Sequence, residues 1–158
     1  MNKTVPIIYA HNIEKHFGSL KAVDGLTFSI PANRCVGLLG PNGAGKTTTM
    51  RMVMGLTTPT SGSFQVFGHP LETLTRQDSA RIGLVPQENN LDMDLTVQQN
   101  LWIYGGYYGL PKSTLKTRVP ELLHFMALTD KADAAVFSLS GGMKRRLIIA
   151  RALISDPD

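Results

Sequence analysis

The sequence of 158 residues has little of what marks a secreted, metal-binding or membrane-spanning chain. Cys35 is its single cysteine. It stands in an apolar run that feeds a glycine-rich loop, so it reads as a small buried hydrophobe and not as a redox or metal centre. His11, His16, His69 and His124 show no ligand spacing. The longest apolar runs are far short of the roughly 20 residues that a membrane helix needs. The opening "MNKTVPIIYAHNIEKH" lacks the apolar core of a signal peptide, so a cytosolic chain is expected. Internal repeats and low-complexity linkers are missing as well. The net charge of +4 and pI near 9.4 raise the question of nucleic acid. Much of the excess comes from "KRR" at 144–146, however, with no long basic run or arginine-aromatic array beside it, and no nucleic-acid partner is expected. What remains is an ordinary globular composition, 42% hydrophobic and 18% charged, in a chain long enough to build a core.

Within that frame the chain alternates between strand and helix signals. "PIIYAHN" and the alternating "AVDGLTFSI" predict two strands joined by "EKHFGSLK", with Asp24-Gly25 as a bulge. "CVGLL" reads as a buried parallel strand, residues 47–54 as a helix closed by Gly55, and "SFQVFG" as a short strand after the turn "TPTSG". A polar helix follows over 72–80, then "RIGLVPQ" as another buried strand stopping at Pro86. Beyond it the character is helical. Thr96 and Gln99 are spaced as a capping box, and "PELLHFMAL" predicts an amphipathic helix with Pro120 near its start. The aromatic stretch "WIYGGYYG", 102–109, fits the core of a small helical subdomain, with an exposed groove as the alternative.

The first chemical signal is "LLGPNGAGKTTTM", 38–50, where Gly40, Gly45, Lys46 and Thr47 have the spacing G-x-x-x-x-G-K-[ST]. Glycines without a Cβ let successive backbone N–H groups turn toward one anion. The helix that starts near Lys46 adds free N–H groups and the positive end of its dipole. Lys46 supplies a full charge for the β- and γ-phosphates, and the Thr47 hydroxyl suits Mg²⁺, which prefers oxygen ligands and retained waters. A tight turn with a helix cap is the plainer reading; a strand before the loop and a helix after it favour a nucleotide.

A second glycine cluster lies in "FSLSGGMKRRLIIARALISDP", where Ser140 precedes Gly141 and Gly142 and a helix whose apolar face is Leu147, Ile148, Ala150, Ala152 and Leu153. A hydroxyl cap explains Ser140. Two adjacent glycines need another reason, because each costs about 1 kcal/mol of helix stability relative to alanine. A close approach by a ligand and simple packing both supply one.

"GPNGAGKTT" and "LSGGMKRR", about a hundred residues apart with "VPQ" between them, resemble the nucleotide-binding subunit of an ABC transporter over essentially the whole chain. The resemblance implies an α/β fold: a P-loop NTPase core of the ABC ATPase type with an antiparallel β subdomain and a helical subdomain, incomplete at the C-terminus. It divides the chain into 1–88, the β subdomain and P-loop core, 89–138, the helical subdomain, and 139–158, the signature helix. By resemblance, Phe17 stacks on adenine, and Gly40, Pro41, Asn42, Gly43, Ala44, Gly45, Lys46, Thr47 and Thr48 hold the phosphates of ATP. Gln87 senses Mg²⁺ and the transmembrane partner, so that Lys46 and Gln87 serve catalysis and Thr47 and Gln87 the metal. Leu139, Ser140, Gly141 and Gly142 match the signature that closes on the γ-phosphate held by a second ATP-binding subunit. The implied partners are that second subunit and a transmembrane permease, and the implied place is the cytoplasmic side of the inner membrane. The groove reading of "WIYGGYYG" would then receive a helix of the permease.

Two departures accompany the resemblance. Met143 and "KRR" stand where the signature usually continues with glutamine, which is similar to ATPase subunits of drug and lipooligosaccharide exporters of the nodulation-factor type. The family's strand ending in Asp-Glu and its histidine loop would follow "ALISDPD", after which the sequence stops, so a fragment that binds ATP without turning it over is expected. Two other functions stay open: a soluble ABC ATPase acting on ribosomes or DNA, and an inert nucleotide-binding remnant.

Overall fold

The computed structural model describes residues 6–158, and the chain divides into two compact units, one running to Thr75 and the other from Arg76 to Asp158. In the first unit, β1 (Ile8–Phe17), β2 (Leu20–Ile30), β3 (Ser61–Val66) and β4 (His69–Pro70) form an antiparallel sheet in the order β2-β1-β3-β4. The two long strands extend well into the segment expected to join them. They meet at a two-residue turn, Gly18-Ser19, with Gly18 at φ +58°, the positive φ that hairpin turns of this length demand.

The expected bulge is present. Ile13 pairs with Leu26 and Lys15 with Val23, which leaves one extra residue on β2 at Asp24-Gly25, and Gly25 has φ +66°. A second bulge sits on β1 at Asn12, φ +48°. Its carbonyl crowds Gly62 of β3, where a Cβ would come within 2.3 Å of the Asn12 oxygen. Ala10, Ile13, Val23, Phe64 and Val66 are buried on the sheet, as are Met52 of α1 (Lys46–Val53) and Leu71.

The termination of α1 is as anticipated at Gly55. Gly55 lies at φ +69°, its N–H bonds to the Met52 carbonyl and the N–H of Leu56 to that of Arg51, the reciprocal pair of a left-handed C-terminal cap.

The two parallel strands expected at "CVGLL" and "RIGLVPQ" do not form: neither run is in a strand, and Val36 and Leu39 are 54% and 91% exposed. A parallel strand cannot satisfy its backbone groups alone, and no strand of the described residues pairs with either run. Cys35 is accordingly exposed, not buried.

The second unit is helical: α2 (Arg76–Ala80), α3 (Val97–Tyr107), α4 (Lys112–Phe125) and α5 (Gly141–Ala152). The polar helix expected over 72–80 is thus split, with a 3₁₀ turn at Leu71–Thr73 preceding α2. Its core joins Val97, Leu101, Leu115, Val119, Leu122, Leu123, Leu147 and Ile148. The Thr96-Gln99 capping box is made in both directions, at 3.2 Å from the Gln99 N–H to the Thr96 Oγ1 and 2.8 Å from the Thr96 N–H to the Gln99 Oε1. Helix α4 begins at Lys112, eight residues before Pro120, which therefore lies inside it. Pro120 and Lys116, whose carbonyl it leaves unpaired, are both on the exposed face, where water can serve instead. "WIYGGYYG" presents two different faces. Trp102, Tyr104 and Tyr108 pack on the core, whereas Ile103 and Tyr107 line a groove of about 320 Å³ with Asn90, Asp92 and Leu95.

Candidate nucleotide-binding site

The glycine-rich loop is built against the sheet. Gly43 and Gly45 have φ +83° and +78°, and a Cβ on Gly45 would lie 2.3 Å from the Ala22 carbonyl oxygen of β2. The loop can press this closely on the strand only where position 45 carries no side chain. Gly45 is also the N-cap of α1 and no side chain caps the helix. The first helical bond runs from the Thr49 N–H to the Gly45 carbonyl at 2.8 Å, so the amides of Lys46, Thr47 and Thr48 precede it. Such an uncapped helix start favours an anion.

Lys46 is half-buried, and its Nζ donates to the carbonyls of Gly40 at 2.8 Å and Pro41 at 2.6 Å. The ammonium is held on the loop, among the residues the sequence assigns to phosphate. Thr47 is exposed and Thr48 half-buried. Two left-handed glycines, an uncapped helix and a tethered ammonium fit a polyphosphate. For Mg²⁺ the fit is narrower: Thr47 offers one hydroxyl, and among the described residues no group of three His, Cys, Asp or Glu side chains could hold a metal. A Mg²⁺ ion here would take most of its ligands from phosphate and water.

Phe17, at the end of β1, has 53% of its surface exposed, and the Lys15 Nζ lies 5.3 Å from its ring centroid. Its open face suits stacking on a base. The strand pairing of Phe17 with Leu20 places it on the sheet against which Gly45 rests.

The remaining candidates belong to the helical unit. Ser140 caps α5, its Oγ accepting from the Met143 N–H at 3.3 Å. Gly141 and Gly142 are exposed, and a Cβ on either would find no atom within 4 Å. Packing inside the described chain therefore does not explain them, whereas Gly105 of α3 is a packing glycine, with the Leu115 Cδ2 at 2.3 Å from its would-be Cβ. Leu139 is buried. Gln87 is exposed, in the bend that follows Pro86.

Sequence reading missed what holds that bend. Arg145 of α5 donates to the Pro86 carbonyl, and Arg151 to the Asn90 carbonyl at 2.8 Å. In the sequence Arg145 figures only in the net positive charge and in the "KRR" that follows Met143. Arg151, a cation inside the apolar "LIIARAL", was the signal available, since a buried charge needs a partner.

An antiparallel sheet with a glycine loop and helix, followed by a helical unit ending in a helix that Ser140 caps and Gly141-Gly142 open, is the ABC ATPase fold. Solved structures share it: "Structure of ATP binding subunit of ABC transporter" matches at a TM-score of 0.84 with 25% identity over 96% of this chain and 63% of that one. The structure of cbiO1 from Clostridium perfringens, described as part of the ABC transporter complex cbiONQ, matches equally at 0.84 and 25%, over 96% of this chain and 62% of that one. The family model for ABC transporters matches residues 23–158, and the chain belongs to that family. Among curated relatives, the Nod factor export ATP-binding protein I of Ralstonia nicotianae is 50% identical over 155 residues, 98% of this chain and 48% of the relative. That of Burkholderia lata is 51% identical over 147 residues, 93% of this chain and 48% of the relative. The chain spans about half the length of these relatives. Among the described residues no helix is long and apolar enough to cross a membrane.

Proposed function

We propose that the chain supplies the ATP-binding part of an ABC exporter subunit of the Nod factor export type, working on the cytoplasmic face of the inner membrane through a permease. The observation that carries the nucleotide site is the loop itself: Gly43 and Gly45 in the left-handed region, the uncapped start of α1 and the Lys46 ammonium on one turn. In this reading Lys46 neutralises the β- and γ-phosphates, Thr47 takes one position on Mg²⁺ and Phe17 stacks on the base with little selectivity, because every base has a π-face. Gln87 is the second group toward the metal and senses the transmembrane partner. The open space around Gly141 and Gly142 supports a trans role, in which the start of α5 closes on the γ-phosphate of a second subunit. The subdivision 1–88, 89–138 and 139–158 then separates cis binding, permease contact and trans contact.

Lys46→Ala removes a charge-assisted contact worth about 1.5–3 kcal/mol, so Mg-ATP affinity should fall by one to two orders of magnitude. Calorimetry on wild type and variant tests this, and equal affinities refute the site. In this reading residues 40–48 hold the cradle, while among the described residues no group of three His, Cys, Asp or Glu side chains could hold a metal, so water activation and an acidic Mg²⁺ partner are taken to come from outside them. The 158-residue polypeptide should accordingly bind nucleotide and release phosphate only at background. Steady Mg-dependent release that Lys46→Ala abolishes would contradict that expectation.

A further inference from the structure

Arg151 is a charged residue with 3% of its surface exposed, in a helix face otherwise made of Leu147, Ile148, Ala150 and Ala152. Its guanidinium carbon lies 3.1 Å from the centroid of the Tyr104 ring, and its Nη1 donates to the Asn90 carbonyl. Burial pushes its pKa down to about 10, which still leaves it a cation throughout the neutral range. A side chain costly to bury is retained where a Leu or Met would pack. What it gains is a fixed donor: the planar group is clamped flat on an aromatic face and its N–H is aimed at one backbone oxygen. Six residues earlier on α5, Arg145 donates to the Pro86 carbonyl. The two carbonyls bracket Gln87, one residue before it and three after it. The bend itself, 87–90, is exposed and outside any helix or strand.

We propose that Arg145 and Arg151 are positioning residues for Gln87, tying the bend that carries it to α5, so that Gln87 follows the helix whose N-terminus is Ser140-Gly141-Gly142. Neither arginine touches nucleotide. Each acts through a backbone carbonyl, and together they make any rotation of α5 a displacement of Gln87. Its bearing on catalysis rests on the nucleotide reading above; the tether itself does not.

A nitroxide attached at Glu88→Cys in a Cys35→Ser background of the 158-residue chain reports the bend. With both arginines present its spectrum should be dominated by an immobilised component. Arg145→Ala should convert that component to a mobile one, and Arg145→Lys, which keeps a charged donor, should restore part of it. Arg151→Lys should not restore order, because an ammonium cannot lie flat on Tyr104 while pointing at Asn90. Arg145 is exposed, so Arg145→Ala should leave the unfolding midpoint close to wild type; if Arg151→Lys fails to fold, the Arg145 pair still decides. An unchanged spectrum in Arg145→Ala, or a bend already mobile with both arginines present, overturns the tether. Mg-ATP titrations of the same samples separate the two ideas: failure of the wild type to bind would refute the nucleotide site and leave the spectral result standing.

Discussion

Position 45 has two constraints that can be separated by mutation. Gly45 lies at φ +78° and faces the Ala22 carbonyl, whereas Gly43 lies at φ +83° with open space where its Cβ would be. Alanine at 43 should cost only the left-handed penalty of roughly 1–2 kcal/mol. At 45 the same penalty is joined by a contact of 2.3 Å with backbone that must move. Urea unfolding should therefore rank Gly45→Ala clearly below Gly43→Ala, and equal midpoints would show that the loop does not press on β2. Both glycines were legible as phosphate-loop residues. Only the packing on Ala22 distinguishes them.

Among the elements, α4 and α5 store opposite imbalances. Helix α4 closes with Ala127 at φ +50°, the N–H of Leu128 reaching the Leu123 carbonyl and the N–H of Ala127 that of His124. Glycine is at ease in that conformation and alanine is not. Ala127→Gly should stabilise the fold by roughly 0.5–1 kcal/mol despite the added freedom of the unfolded chain. Thermal unfolding would read it as a higher midpoint. Arg146 helps hold this cap, donating to the carbonyls of Met126 at 2.8 Å and Ala127 at 3.1 Å. Helix α5 presents the reverse case, glycine where another residue would make a better helix. Gly141→Asp places a carboxylate in the first turn, favourable by roughly 0.3–1 kcal/mol through the helix dipole. It should leave the 158-residue chain as stable as wild type or more so. In a protein of the relatives' length the same carboxylate should repel the partner's phosphate and prevent ATP-dependent pairing, measured by light scattering after size exclusion; normal pairing would end the trans role. Ser140→Ala should cost about 1 kcal/mol, the value of a lost hydroxyl cap.

For the whole molecule the outstanding feature is apolar surface at 35–39, where Val36, Leu38 and Leu39 are all exposed. Such a run, with its backbone outside any ladder, is prone to associate. Light scattering on the 158-residue chain should find concentration-dependent association that Leu39→Asp reduces, without a matching change in Mg-ATP affinity. Association unaltered by Leu39→Asp would place the adhesive surface elsewhere.

The sequence alone determined whatever depends on neighbours a few residues apart. The spacing of the phosphate-loop glycines predicts the left-handed turns found at Gly43 and Gly45, Thr96 and Gln99 predict a cap because the two groups meet within one turn, and Asp24-Gly25 predicts a bulge because it interrupts an alternating strand. Tertiary structure decided what depends on partners far along the chain. "CVGLL" and "RIGLVPQ" have strand composition, yet a strand exists only when another lies beside it, and no partner is at hand among the described residues. The same distance in sequence hid the ties from α5 to the Gln87 bend: Arg145 and Pro86 are 59 residues apart, Arg151 and Asn90 61. A guanidinium finds a carbonyl across such a separation only after the core between Tyr104 and Ile148 has packed, since packing, not local propensity, brings the two within reach.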